Sequence, residues 1–116
     1  MLEGLWSIEF ISNLNVIGTG VVVFESERLF GGDSGYFYVG SYSSIQGVVT
    51  GEAEVTHYAG PSNSIFGNVH QFRVQLSGKV TRPTMELSGS VVGMPALQLG
   101  VRCTHRADLL LISIRY

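Results

Sequence analysis

The sequence contains one cysteine, Cys103, so no disulfide can close within the chain and nothing in it asks for an oxidising compartment. Charge is sparse as well. Only 14 % of the residues are charged and the net charge is -2, which argues against a nucleic-acid partner. No long apolar run is present: the stretch from Leu109 to Ile112 is far short of the ~20 residues that a membrane helix needs. The opening MLEGLWSIEF has neither a basic leader nor an extended apolar segment, so an ordinary signal peptide is not expected. Together these absences predict a cytoplasmic chain with no membrane span. Helical spacing of apolar residues is also missing, which leaves the strand as the main building element.

What the chain does have is a period of two. In GLWSIEFIS, Trp6, Ile8 and Phe10 fall on one face, opposite Ser7 and Glu9. Val49, Ala53 and Val55 oppose Thr50, Glu52 and Glu54 in the same way, and Phe72, Val74 and Leu76 oppose Gln71, Arg73 and Gln75. Met85, Leu87 and Val91 form a further inward row, as do Leu97, Leu99, Val101 and Cys103. Turn signals separate the runs: SNLN at 12–15, ESER at 25–28, GGDSG at 31–35, YSS at 42–44, AGPSNS at 59–64, GKVTRP at 78–83 and GMP at 93–95. At 116 residues the chain makes one domain, able to bury roughly two thirds of its unfolded surface. Seven or eight strands joined by tight turns read as an all-β sandwich or barrel. One helical turn is expected at most, near Pro61–Phe66.

One strand breaks the alternation. In VIGTGVVVFE, Ile17, Val21 and Val23 lie on one face and Val16, Val22 and Phe24 on the other, so both faces are apolar. Such a strand is either covered twice within the fold or meets another subunit through its outer face. Gly18, Gly20, Gly47, Gly51 and Gly89 share registers with apolar residues. They serve either to bend strands or to leave bare positions in the wall of a cavity. The wall of that cavity would consist of Trp6, Ile8, Phe10, Val22, Phe24, Val49 and Val55 from the first half, with Phe72, Val74, Met85, Leu87, Leu99 and Val101 from the second. By these registers Arg73 and Arg102 point outward, so any ligand would be held mainly by apolar contact.

GGDSG contains the residue order that surrounds the nucleophile of chymotrypsin-like proteases. A serine needs a histidine base and a carboxylate that orients it. All three histidines, His57, His70 and His105, follow Ser34, the reverse of the chymotrypsin order, and Tyr36 and Phe37 stand where that family has glycine and proline. The GDS lipases are larger and use a late Asp-x-x-His, which does not occur here. The turn reads instead as a strand connection with Asp33 and Ser34 bonded to nearby backbone. Cys103 and His105 share a face because the pleat forces it, and no third ligand follows, so no metal is expected. Neither an enzyme nor a cofactor is expected.

With the strands laid out, GLWSIEFIS, GTGVVVF, LFGGDSGYFYVGSY and SIFGNVHQFRVQLSG resemble the GrlR-type negative regulators of type III secretion. The likeness runs from Gly4 to about His105, and the GGD turn followed by Tyr38-x-Gly40 is its most specific part. The resemblance implies a lipocalin-like up-and-down barrel of about eight antiparallel strands with an apolar cavity, a homodimer, and no catalysis. It also implies repression through an acidic cluster that binds a transcriptional activator. Here the corresponding positions are Ser43, Ser44, Ile45 and Gln46, without an acid, and only Glu52 and Glu54 follow. Ile17, Val21 and Val23 are the candidate dimer contacts. The expected partners are therefore a second copy, an apolar small molecule, or another protein. The closing DLLLISIRY matches nothing in that family and either prolongs the last strand or lies outside the fold.

Overall fold

The computed structural model describes residues 2–61, 64 and 70–109. Eight strands follow one another: β1 (Gly4–Ser12), β2 (Ile17–Glu25), β3 (Arg28–Gly32), β4 (Tyr36–Ile45), β5 (Val48–His57), β6 (Gln71–Thr81), β7 (Thr84–Val91) and β8 (Met94–Ala107). Each pairs antiparallel with the next, and β8 returns to pair with β1 from Ser12↔Leu99 to Leu5↔Ala107. The result is a closed up-and-down barrel. Among the described residues there is no helix, hence none long and apolar enough to cross a membrane. The helical turn expected near Pro61–Phe66 falls almost entirely outside the described residues. β8 stops at Ala107, and residues 110–116 also lie outside them.

The period-two rows become the barrel interior. Trp6 and Ile8 from β1, Val22 and Phe24 from β2, and Val49 and Ala53 from β5 are buried, as are Phe72, Val74, Leu87 and Val101 from the later strands. On β2 the doubly apolar pattern resolves cleanly. Val22 and Phe24 face in, while Val21 and Ile17 face out and stay exposed.

Several turn assignments change: GKVTRP contracts to Arg82 and Pro83, and GMP shifts to Val92 and Gly93. YSS does not turn: β4 runs straight through Tyr42, Ser43 and Ser44, and the chain reverses at Gln46 and Gly47, both with positive φ. Two-residue hairpins favour such left-handed geometry because it matches strand twist. Gly47 is therefore a turn residue rather than an inward one. The ESER turn contracts to Ser26 and Glu27, which also take positive φ.

Most of the remaining inward glycines are not bare positions either. A Cβ at Gly89 would fall 1.6 Å from the Gln75 carbonyl oxygen, and one at Gly40 would fall 1.9 Å from that of Glu52. There the neighbouring strand is coiled so sharply that its backbone fills the space of a side chain, as barrel closure requires. At Gly18 the Phe10 ring takes the space, 2.3 Å away, and at Gly20 the Tyr38 hydroxyl takes it, 2.7 Å away. Among the four that remain inward, Gly51 alone meets only looser contacts, the nearest at 3.3 Å, and opens onto the interior.

Outside, ion pairs join neighbouring strands. Arg73 on β6 reaches Glu52 and Glu54 on β5 at 3.7 Å each, whereas Arg102 on β8 reaches Glu86 on β7 at 2.7 Å. All are exposed, and such pairs contribute about 0–1 kcal/mol each.

Candidate functional site

The connections Asn13–Val16, Asp33–Gly35 and Val92–Gly93, and the ends of β5 and β6 at His57 and Gln71, all lie at one end of the barrel, because successive strands run up and down. The hairpins Ser26–Glu27, Gln46–Gly47 and Arg82–Pro83 lie at the other. A cavity of about 540 Å³ occupies the interior and extends to the first end, where Val16, Ile17, Asp33, Ser34, Pro61 and Ser64 border it. This volume falls within the range of small-molecule sites, roughly 300–1,000 Å³.

Most of the residues expected in the wall are there. Ile8 and Phe10 line it from β1, Val22 and Phe24 from β2, and Val49 and Val55 from β5. Phe72 and Val74 on β6, Leu87 on β7, and Leu99 and Val101 on β8 complete the ring. Trp6 and Met85 do not line it. Both are 0 % exposed and sit below it, where they fill the far end instead of leaving space.

Trp6 is fixed from every side. Its Nε1 donates to the Leu2 carbonyl at 3.0 Å, Phe24 and His105 meet its ring edge-on at 6.1 and 5.3 Å, and the Arg82 guanidinium lies 5.8 Å from its centroid. Close packing at this end also explains Gly4, whose φ is +147° and whose Cβ would fall 2.7 Å from His105 Nε2.

The sequence reading missed the contribution of β4. Tyr36, Tyr38 and Tyr42 all face inward and all line the cavity, with Leu29 and Ala53 beside them. YFYVGSY alternates tyrosine with Phe37 and Val39, so both faces look apolar, and hydropathy cannot say which set carries hydroxyls inward. The partner settles it. Tyr38 donates its hydroxyl to Asp33 Oδ2. Asp33 Oδ1 in turn accepts the backbone N–H groups of Gly35 at 2.9 Å and Tyr36 at 2.8 Å. The Tyr58 hydroxyl donates to the Asp33 carbonyl at 2.7 Å.

The GGD turn and the Tyr38-x-Gly40 strand are thus one polar latch at the cavity mouth, and Gly20 is small because Tyr38 occupies its space. Burial first, then the bond to Asp33 and its charge, push Tyr38 well above the ordinary tyrosine value, so its proton stays on the phenol. In this latch the Asp33 carboxylate holds a tyrosine and a turn rather than a histidine. His57 Nε2 stands 2.8 Å from the Gly60 carbonyl oxygen, and its ring meets those of Tyr36 and His70 at 5.3 and 5.4 Å. Among the described residues no three His, Cys, Asp or Glu side chains are grouped as metal ligands would be. No protein-family model matches the chain, and no curated protein sequence matches it either.

Cys103 faces the interior and is 1 % exposed. Burial pushes its thiol up to about 12 from 9.0. Below pH 9 its thiolate fraction is therefore on the order of 10³ smaller than that of a free cysteine, and the thiolate is the reactive form. Ellman's reagent is expected to label native protein slowly and unfolded protein at once; rapid native labelling would contradict this burial. Because the folded value is raised, the contribution of Cys103 to stability is complete below pH 9 and is lost as the pH rises towards 12.

Proposed function

We propose that the protein is a non-enzymatic binding barrel whose cavity takes an apolar, lipid-like small molecule, and that occupancy serves a regulatory role. The observation that carries this reading is the cavity of about 540 Å³, blocked below by Trp6 and Met85 and bordered by loops above. An empty apolar space of this size forgoes packing that a fold of this length could otherwise use. The regulatory part rests on the resemblance to GrlR-type regulators, since a barrel by itself hosts many functions.

Native mass spectrometry of protein purified from cells tests the reading. A co-purified lipid mass is expected, and Val22→Trp or Leu99→Trp should abolish it while circular dichroism remains that of a barrel. If no species is bound and no fatty acid or neutral lipid raises the melting temperature, the cavity reading fails.

A second reading, a protein-interaction module, is favoured by the outer surface. Val21 and Val23 on β2, Phe30 on β3, and Phe37 and Val39 on β4 face outward in adjacent registers, Val23↔Phe30↔Val39 forming one continuous row. Val39 is 51 % exposed and Ile17, nearer the mouth, 70 %. A contiguous apolar patch of this kind marks an interface, and the occupant proposed is a second copy of the chain. The positions where the GrlR-type family carries acids, Ser43 to Gln46, lie at the end of β4 and its hairpin and hold no acid, so an activator partner is not carried over. Sedimentation at micromolar concentration is expected to give a dimer mass that Phe30→Lys reduces to a monomer; a monomeric parent protein would remove this reading.

A further inference from the structure

The distribution of polar groups around the cavity says more about an occupant than its volume does. The lower walls carry aliphatic and phenyl side chains from Ile8, Val22 and Phe24 across to Val74 and Val101. At the mouth stand the Asp33 carboxylate and the hydroxyls of Ser34 and Tyr36. No lysine, arginine or histidine lines the cavity among the described residues. His57 stands beside Tyr36, but its Nε2 is turned to the Gly60 carbonyl.

The one charged group at the mouth is an acceptor, while the Ser34 hydroxyl can donate or accept. Tyr38 has a single hydroxyl proton, and Asp33 Oδ2 receives it. Tyr36 is already hydrogen-bonded to Ser64. The Asp33 carboxylate accepts three bonds, from Tyr38 and from the N–H groups of Gly35 and Tyr36, out of a capacity of about four. Those three bonds fix the carboxylate, which borders the cavity, and leave it one acceptor position. A carboxylate or phosphate head placed there would meet a like charge and no cation, whereas a hydroxyl or ammonium head would donate to a fixed acceptor.

We propose that this cavity selects amphiphiles with an apolar tail and a non-anionic, hydrogen-bond-donating head, and that Asp33 at the mouth is the group that reads the head. This inference rests on the ligand-binding reading above and narrows it to a chemical class: long-chain alcohols, monoacylglycerol-like heads or long-chain amines, and not fatty acids.

The test is competition for bound Nile red, an uncharged fluorescent probe, by dodecanol, dodecylamine and dodecanoate near neutral pH on the intact protein. Dodecanol and dodecylamine are expected to displace the probe at concentrations at least tenfold below dodecanoate. An amine stronger than the alcohol would identify charge pairing as the source, and equal strengths would identify neutral hydrogen bonding; both support the assignment. Asp33→Asn is expected to reduce the advantage of the amine over dodecanoate by about tenfold or more. The ranking on the parent protein stands even if that variant does not fold. Dodecanoate binding as tightly as dodecanol would overturn the head-group assignment and leave an unselective apolar site. If neither Nile red nor any of the three ligands binds, the cavity reading and this inference fall together.

Discussion

Trp6→Ala is expected to cost about 3–5 kcal/mol, the range for removing a large aromatic side chain from a packed interior. Near the size of this chain, that lowers the melting temperature by something on the order of 15 °C. The indole is fully buried, carries two edge-on aromatic contacts and a guanidinium, and ties residue 2 to the barrel through Nε1. Its loss leaves the Leu2 carbonyl without a partner and a void beneath the cavity, so the cost is both apolar and polar. Urea unfolding followed by far-ultraviolet dichroism reads it directly. Trp6→Phe, which keeps a ring but loses the N–H, should fall between the two. A loss below 1 kcal/mol for the alanine variant would mean that the closed end is not built as described.

Asp33→Ala is expected to destabilise the fold by about 3 kcal/mol, while its neighbour Ser34→Ala should lie within about 0.5 kcal/mol of the parent. Removing the carboxylate strands the Tyr38 hydroxyl in a buried site and frees two turn N–H groups at once. Hydrogen bonds to charged acceptors are the strong ones, and a buried donor left without a partner bears its full desolvation cost. Asp33→Asn keeps the shape and one acceptor oxygen, so it should recover about half of the loss. Tyr38→Phe removes donor and need together and should cost less than Asp33→Ala. Equal effects at Asp33 and Ser34 would refute the latch.

Much of this architecture was legible in the sequence because a strand with one wet face writes its register into alternation. GLWSIEFIS and HQFRVQLSG could hardly be placed otherwise, and both fall in the expected register. β4 was harder. Its alternation is tyrosine against phenylalanine and valine, which hydropathy scores alike, and Ser43 and Ser44 imitate a turn while lying within a long strand. What distinguishes its inward face is a hydrogen bond from Tyr38 to Asp33 in the turn just before the strand, and hydropathy does not encode that. Trp6 and Met85 share the inward row with cavity residues, so period alone could not distinguish the part of the row that lines a space from the part that plugs it. The glycines misled for a related reason. Whether an absent Cβ leaves a void or admits a neighbouring carbonyl depends on how sharply the adjoining strand coils, as at Gly89 and Gly40.

The ring is closed by its first and last strands, with Ser7↔Thr104 in the seam and Arg106 Nε donating to Ser7 Oγ across it at 2.8 Å. β1 therefore has a partner on one side only, β2, until β8 has been synthesised, and an unpaired strand edge with an apolar face is a template for unwanted pairing. Contacts this distant in sequence also slow folding, because the loop-closure entropy is spent before the seam contributes any stability. During translation this domain is consequently an open, sticky sheet until β8 clears the ribosome and closes the ring.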